Sequence, residues 1–109
     1  MEDFENKLCL IREKIENIDK PLILELGVRE GRSTKMFLEI CDKNDGNLIS
    51  VDILDCSKVS NNPKWRFIHS SDDNFAYINK FIEREVDVLF IDSLHEPEHI
   101  KNVFYNYFN

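Results

Sequence analysis

Glu25, Gly27, Gly31 and Ser33 stand close together in the stretch Glu25-Leu26-Gly27-Val28-Arg29-Glu30-Gly31-Arg32-Ser33-Thr34. Glycines let a backbone turn tightly and approach a ligand with no side chain in the way. The apolar run before them and the amphipathic run after them make this turn a junction from strand to helix. Exposed amides and the positive end of the helix dipole favour an anionic group at such a junction, whether phosphate or carboxylate. The pattern by itself leaves that choice open.

Spacing argues against two nucleotide motifs. A dinucleotide fingerprint starting at Gly27 needs glycine where Arg29 and Arg32 stand. A phosphate loop of the nucleotide-hydrolase kind needs four residues between its glycines and then Lys before Ser or Thr, whereas three residues separate Gly27 from Gly31 and Arg32 follows. Asp52 lies about twenty residues beyond Gly31 at the end of a second apolar run, where a carboxylate can accept two hydrogen bonds from a ribose diol. The plainer alternative is that the glycines only shape a tight connection and Asp52 caps a loop.

Two further places carry polar groups at strand ends, Ser71-Asp72 and Asp92 to His95. Histidine is the residue type best suited to taking a proton from a hydroxyl near neutral pH, which makes His95 a candidate base, although it can equally cap a following helix. His95-Glu96-Pro97-Glu98-His99 also spells a zinc-protease motif, whose chemistry needs both imidazoles on one face of a continuous helix. Pro97 argues against that helix, because proline lacks the amide donor and clashes with the preceding turn.

The stretches ILELGVREGRST, ISVDI and VDVLFIDSLHEPEHIKNVF resemble, in order, the successive motifs of class I S-adenosylmethionine-dependent methyltransferases. The similarity runs over roughly residues 20 to 105. It is greatest to the branch whose first motif reads acid-x-Gly-x-x-x-Gly-x-Ser and whose fourth strand ends Ile-Asp-Gly-x-His. This chain departs from that branch at Ser93, where glycine is usual, and at Pro97, where an aromatic residue is common.

The resemblance implies a Rossmann-like α/β sandwich and S-adenosylmethionine as cofactor. Glu25, Gly27 and Gly31 would line its methionine end, Ser33 would also belong to the cofactor site, Asp52 would hold the ribose hydroxyls, and Asp72 would lie near the adenine or cap a helix. Asp92 and His95 would stand where the methyl group is handed over, with Asp92 as a possible ligand to a divalent metal such as magnesium and His95 as a possible base. An oxygen-rich magnesium site needs several ligands, and only Asp92 is well placed. The implied function is methyl transfer to an oxygen of a small-molecule acceptor. A catalytically inactive or partner-dependent cofactor-binding module is the alternative.

The elements that must position these residues follow from periodicity. Phe4, Leu8, Ile11, Ile15 and Ile18 form one stripe of a covering helix within residues 1–19, ended by Pro21. Apolar runs predict strands at 22–26, 48–53, 65–69 and 86–92. Between them, Ser33 or Thr34 is expected to cap a helix carrying Met36, Phe37, Ile40 and Cys41, which Asn44-Asp45-Gly46 stops. Ser71 or Asp72 is expected to cap another carrying Phe75, Ile78, Phe81 and Ile82, and Pro97 suits the first turn of a last helix.

Apolar strands alternating with amphipathic helices argue for a mostly parallel sheet covered on both faces. By resemblance the four strands would lie in the order 3-2-1-4. The full fold has seven, so the chain reads as its cofactor-binding front half. Val86 to Asp92 would then be an apolar edge that invites a partner chain or a homodimer.

Composition sets broader limits. The 109 residues, 42% hydrophobic with eight phenylalanines, suit one packed domain. A net charge of -7 without a basic cluster makes nucleic acid an unexpected partner. Cys9, Cys41 and Cys56 form no Cys-x-x-Cys pair and read as ordinary thiols. The acidic start and the lack of any membrane-length apolar run lead to the expectation of a soluble cytoplasmic protein.

Overall fold

In this computed structural model the described residues are 2–92. The chain begins with α1 (Glu2–Ile15) and β1 (Leu22–Leu26), continues through α2 (Arg32–Asn44), β2 (Asn47–Asp52) and β3 (Trp65–His69), and then makes α3 (Phe75–Asn79) and β4 (Val88–Ile91). The four strands form one all-parallel sheet in the order β3-β2-β1-β4, a Rossmann-like α/β arrangement as expected. β1 is central because all five of its residues are buried, which is why it reads as a continuous apolar run broken only by Glu25.

Alternation along the strands divides the core in two. Ile23, Leu48 and the half-buried Val88 and Phe90 face α1 and α2, where Leu8, Ile15, Phe37, Ile40 and Cys41 pack on them. Phe37 meets Phe90 edge-on at 5.3 Å, a favoured aromatic geometry. Burial pushes the Cys41 thiol up to about 11, so it behaves as a small apolar side chain. Leu22, Leu24, Leu26, Ile49, Val51 and Ile68 point to the other face, against Ile78 of α3 and the half-buried Phe75, Phe81 and Ile82.

The element borders differ from the expected ones for identifiable reasons. α1 ends at Ile15, although Ile18 still packs on the core. The carboxamide of Asn44 donates to the carbonyls of Glu16 at 2.7 Å and Ile18 at 3.0 Å, so one residue stops α2 and also satisfies the end of α1. α2 starts from Gly31 with no side-chain cap, because the hydroxyls of Ser33 and Thr34 are drawn inward to Glu25. α3 starts after Asn74, not after Ser71 or Asp72, and spans five residues, so Phe81 and Ile82 lie beyond it.

β4 is shorter than the 86–92 run. Its parallel bonding to β1 nevertheless extends outward, with Asp87 N–H donating to Leu22 O and Asp92 N–H to Leu26 O, each at 2.9 Å. The last expected helix and His95 lie outside the described residues. Among the described residues no helix is long and apolar enough to cross a membrane, and the three cysteines are free.

Gly46 is buried where a Cβ would stand 2.5 Å from Pro21 O and 2.6 Å from Pro21 Cδ. The turn after α2 therefore packs directly on the entry to β1. Gly46→Ala should destabilise the fold by about 1–3 kcal/mol, as overpacking does. Urea unfolding checks this as a lowered midpoint with an unchanged slope.

Candidate functional site

The carboxyl ends of the strands border a cavity of about 320 Å³. Its walls include Gly27 after β1, Asp52 at the end of β2, Ser70 to Asp72 after β3 and Asp92 after β4. Arg29, Ile53 and Leu54 complete the mouth, and Ile53 and Leu54 are among the few large apolar side chains left exposed. In parallel sheets this end is where ligands bind, since the loops diverge there and leave a crevice.

Asp52 holds the loop from Gly27 to Gly31 in place. Its Oδ2 accepts the N–H of Val28 at 2.9 Å and of Arg29 at 3.2 Å, while Oδ1 accepts the N–H of Leu54 at 2.9 Å. Burial raises its pKa, but the Leu54, Val28 and Arg29 amides and the Cys56 thiol outweigh that and hold it below the usual aspartate range. The carboxylate is thus ionised at neutral pH. Three of its roughly four acceptor positions are taken by amides. One acceptor position is left, on the side of the cavity.

Glu25 sits elsewhere. It is fully buried beneath the turn, with Oε1 accepting the hydroxyls of Thr34 and Ser50, each at 2.7 Å, and Oε2 accepting that of Ser33. Ser50 in turn receives the indole N–H of Trp65 at 2.9 Å. The chain of bonds therefore crosses β3, β2, β1 and α2, and no buried side-chain polar atom lacks a partner among the described residues. Burial pushes the Glu25 carboxyl above its usual range; the three hydroxyl bonds oppose that, and the Asp92 charge adds to it.

Of the residues expected at the site, Gly27, Asp52, Asp72 and Asp92 share the cavity, whereas Glu25, Gly31 and Ser33 do not line it. Gly31 has φ 89, and Val59 packs so closely that a Cβ there would collide with its Cγ1. Ser33 is 2% exposed. His95 is outside the described residues. Among the described residues no three His, Cys, Asp or Glu side chains gather to hold a metal ion, so Asp92 has no companion ligands and no metal step follows from it.

Ser50 is not singled out by the sequence reading, and Thr34 only as a helix cap. One signal was available: a serine in the middle of an apolar strand, opposite a glutamate in the middle of another, is the mark of a buried polar pair. Nothing comparable announced Val59, Cys56 or Trp65, which reach the site only through the path of the 53–64 loop and the sheet.

A parallel sheet with a crevice at its carboxyl ends, an acid closing the second strand and a glycine turn after the first make a Rossmann-like α/β domain. The chain belongs to the family described as methyltransferase domain, which matches residues 24–109. No curated protein and no solved structure matches it.

Two acids should give opposite pH signatures. Because the folded pKa of Glu25 is raised, its contribution is fully present below the unfolded value of about 4.3 and lost as pH rises through the folded value. The stability of Glu25→Gln relative to the native chain should therefore improve as pH rises. Asp52 has the reverse sign: its contribution is present above about 3.9 and lost as pH falls through the lower folded value, so the advantage of the native chain over Asp52→Asn should shrink in acid. Urea midpoints across a pH series read both. Glu25→Ala, which orphans three hydroxyls, should cost about 2–5 kcal/mol at the acid end of the series, and less as pH rises.

Proposed function

We propose that the cavity at the strand ends binds S-adenosylmethionine and that the chain is the cofactor-binding half of a methyltransferase acting on an oxygen of a small molecule. The observation that carries this reading is the meeting of Gly27, Asp52, Asp72 and Asp92 around one cavity, in a chain of the methyltransferase-domain family. The residues suit the cofactor's chemistry. The ionised Asp52 offers acceptors for ribose hydroxyls, the exposed Ile53 and Leu54 offer apolar surface to a base, and three acidic side chains on the walls favour a sulfonium cation.

The cofactor supplies an electrophilic methyl carbon, which an acceptor oxygen takes as the carbon–sulfur bond breaks and the sulfur becomes neutral. The chain's part is to hold both reactants in line and to give the hydroxyl proton a destination. Asp92 ends β4 on the cavity wall, which suits it to orient an acceptor hydroxyl, and His95, three residues on, is the proposed base.

A second reading, a module that acts only with a partner strand, is favoured by the position of β4. It lies at the sheet edge with β1 as its one strand neighbour among the described residues, and its four residues are only half buried. An added strand there would cover them.

Calorimetric titration with S-adenosylmethionine and with S-adenosylhomocysteine tests the main reading. Both should bind, and Asp52→Asn should weaken both by about tenfold or more, the loss of a hydrogen bond to a charged group. Absence of binding at millimolar ligand would overturn it. Light scattering with and without cofactor distinguishes the second reading, which requires an assembly larger than one chain.

A further inference from the structure

The carboxylate of the methyl donor needs a partner once water is excluded, and at the start of α2 neither the Ser33 hydroxyl nor the Gly31 amide is free to provide it. The Ser33 hydroxyl is buried and donates to Glu25. The Gly31 N–H donates to Val28 O at 2.9 Å, and Val59 covers Gly31. Of the other hydroxyls at the cavity, Ser70 donates to Ser71 O and Ser71 to Asp73.

Arg29 is the one cation among the described residues that line the cavity, facing a wall that carries Asp52, Asp72 and Asp92. Its backbone lies in the left-handed region, φ 54, which costs a residue with a side chain and is held where the surroundings over-determine it. Here they do. Its N–H is bonded to Asp52, and its carbonyl accepts the Cys56 thiol at 3.9 Å. No carboxylate among the described residues pairs with its guanidinium. The loop thus keeps a cation with no ion-pair partner among the described residues at an acidic cavity, in a conformation that glycine would adopt more readily.

We propose that the Arg29 guanidinium receives the amino-acid carboxylate of the bound methyl donor, in place of the Gly31 amide and the Ser33 hydroxyl. A guanidinium fork matches a carboxylate in two parallel bonds, and the acids on the cavity wall keep the ligand's own cations away from it. Arg29 also borders the Asp52 carboxylate through its amide, so the two grips on the cofactor, one on the carboxylate and one on the sugar, belong to a single rigid turn. This inference rests on the reading of the cavity as a methyl-donor site.

The test is calorimetric binding of S-adenosylmethionine and of its decarboxylated derivative to the native chain, Arg29→Gln, Arg29→Lys and Arg29→Gly. The native chain should bind the carboxylated form at least about tenfold more tightly, and Arg29→Gln should lose about 10- to 100-fold for that form alone, as expected for a charged hydrogen bond. Arg29→Lys should fall between. Arg29→Gly should lose as much while melting no lower than the native chain, which separates lost recognition from lost folding. Equal weakening toward both ligands, or no weakening toward either, would overturn the assignment. So would a Ser33→Ala variant that shows the selective loss instead. Native binding of both ligands without discrimination sinks this inference alone, and native binding of neither sinks it together with the methyl-donor reading.

Discussion

A carboxylate with no exposed surface sits at the centre of the sheet, and the hydroxyls that surround Glu25 are the condition for its being there. An unpaired buried charge would cost more than a domain of this size has in reserve. Ser33, Thr34 and Ser50 must therefore all converge on it, and each fixes a different part of the fold. Ser50 sets β2 in register beside β1, where Glu25 and Ser50 are partners. Ser33 and Thr34 fix the rotation of α2, turning its first residues inward and its apolar stripe onto Ile23 and Leu48.

The site depends on that arrangement at one remove. With α2 seated on Glu25, the turn from Gly27 to Gly31 has little freedom, and Asp52 draws in the Val28 and Arg29 amides. The two acids divide the work by their surroundings. Glu25 is buried and its carboxyl is pushed up, so it acts as a structural node; Asp52 is partly open and held low by amides, so it stays charged at the cavity. The methyltransferase-domain family match, residues 24–109, spans both acids.

Much of the architecture was legible in the chain. Five-residue apolar runs with Gly and Pro at their borders located the strands, and the stripe from Leu8 to Ile15 located the first helix. The order of the strands came from resemblance, since a period of two says which face a residue takes but not which neighbour its strand has. Borders moved by one to several residues wherever a side chain competed with the backbone: Asn44 at the end of α1, and Ser33 and Thr34 at the start of α2. The expected caps failed because the Ser33 and Thr34 hydroxyls are turned inward to donate to the buried Glu25 carboxylate, and α2 starts ahead of them at Gly31.

For the site, the residue types and their places at strand ends were set by the sequence alone, because a glycine turn and a terminal aspartate are local features with local causes. That Gly27, Asp52, Asp72 and Asp92 face one space while Glu25 and Ser33 turn away from it was decided only in three dimensions. The facing of a polar side chain depends on which partners the sheet brings within reach, and Ser50, Trp65 and Val59 are far from Glu25 and Gly31 in the chain. Burial then did the rest: the same carboxylate chemistry becomes a hidden tie where three hydroxyls surround it and a cavity-facing charge where backbone amides hold it at a half-open edge.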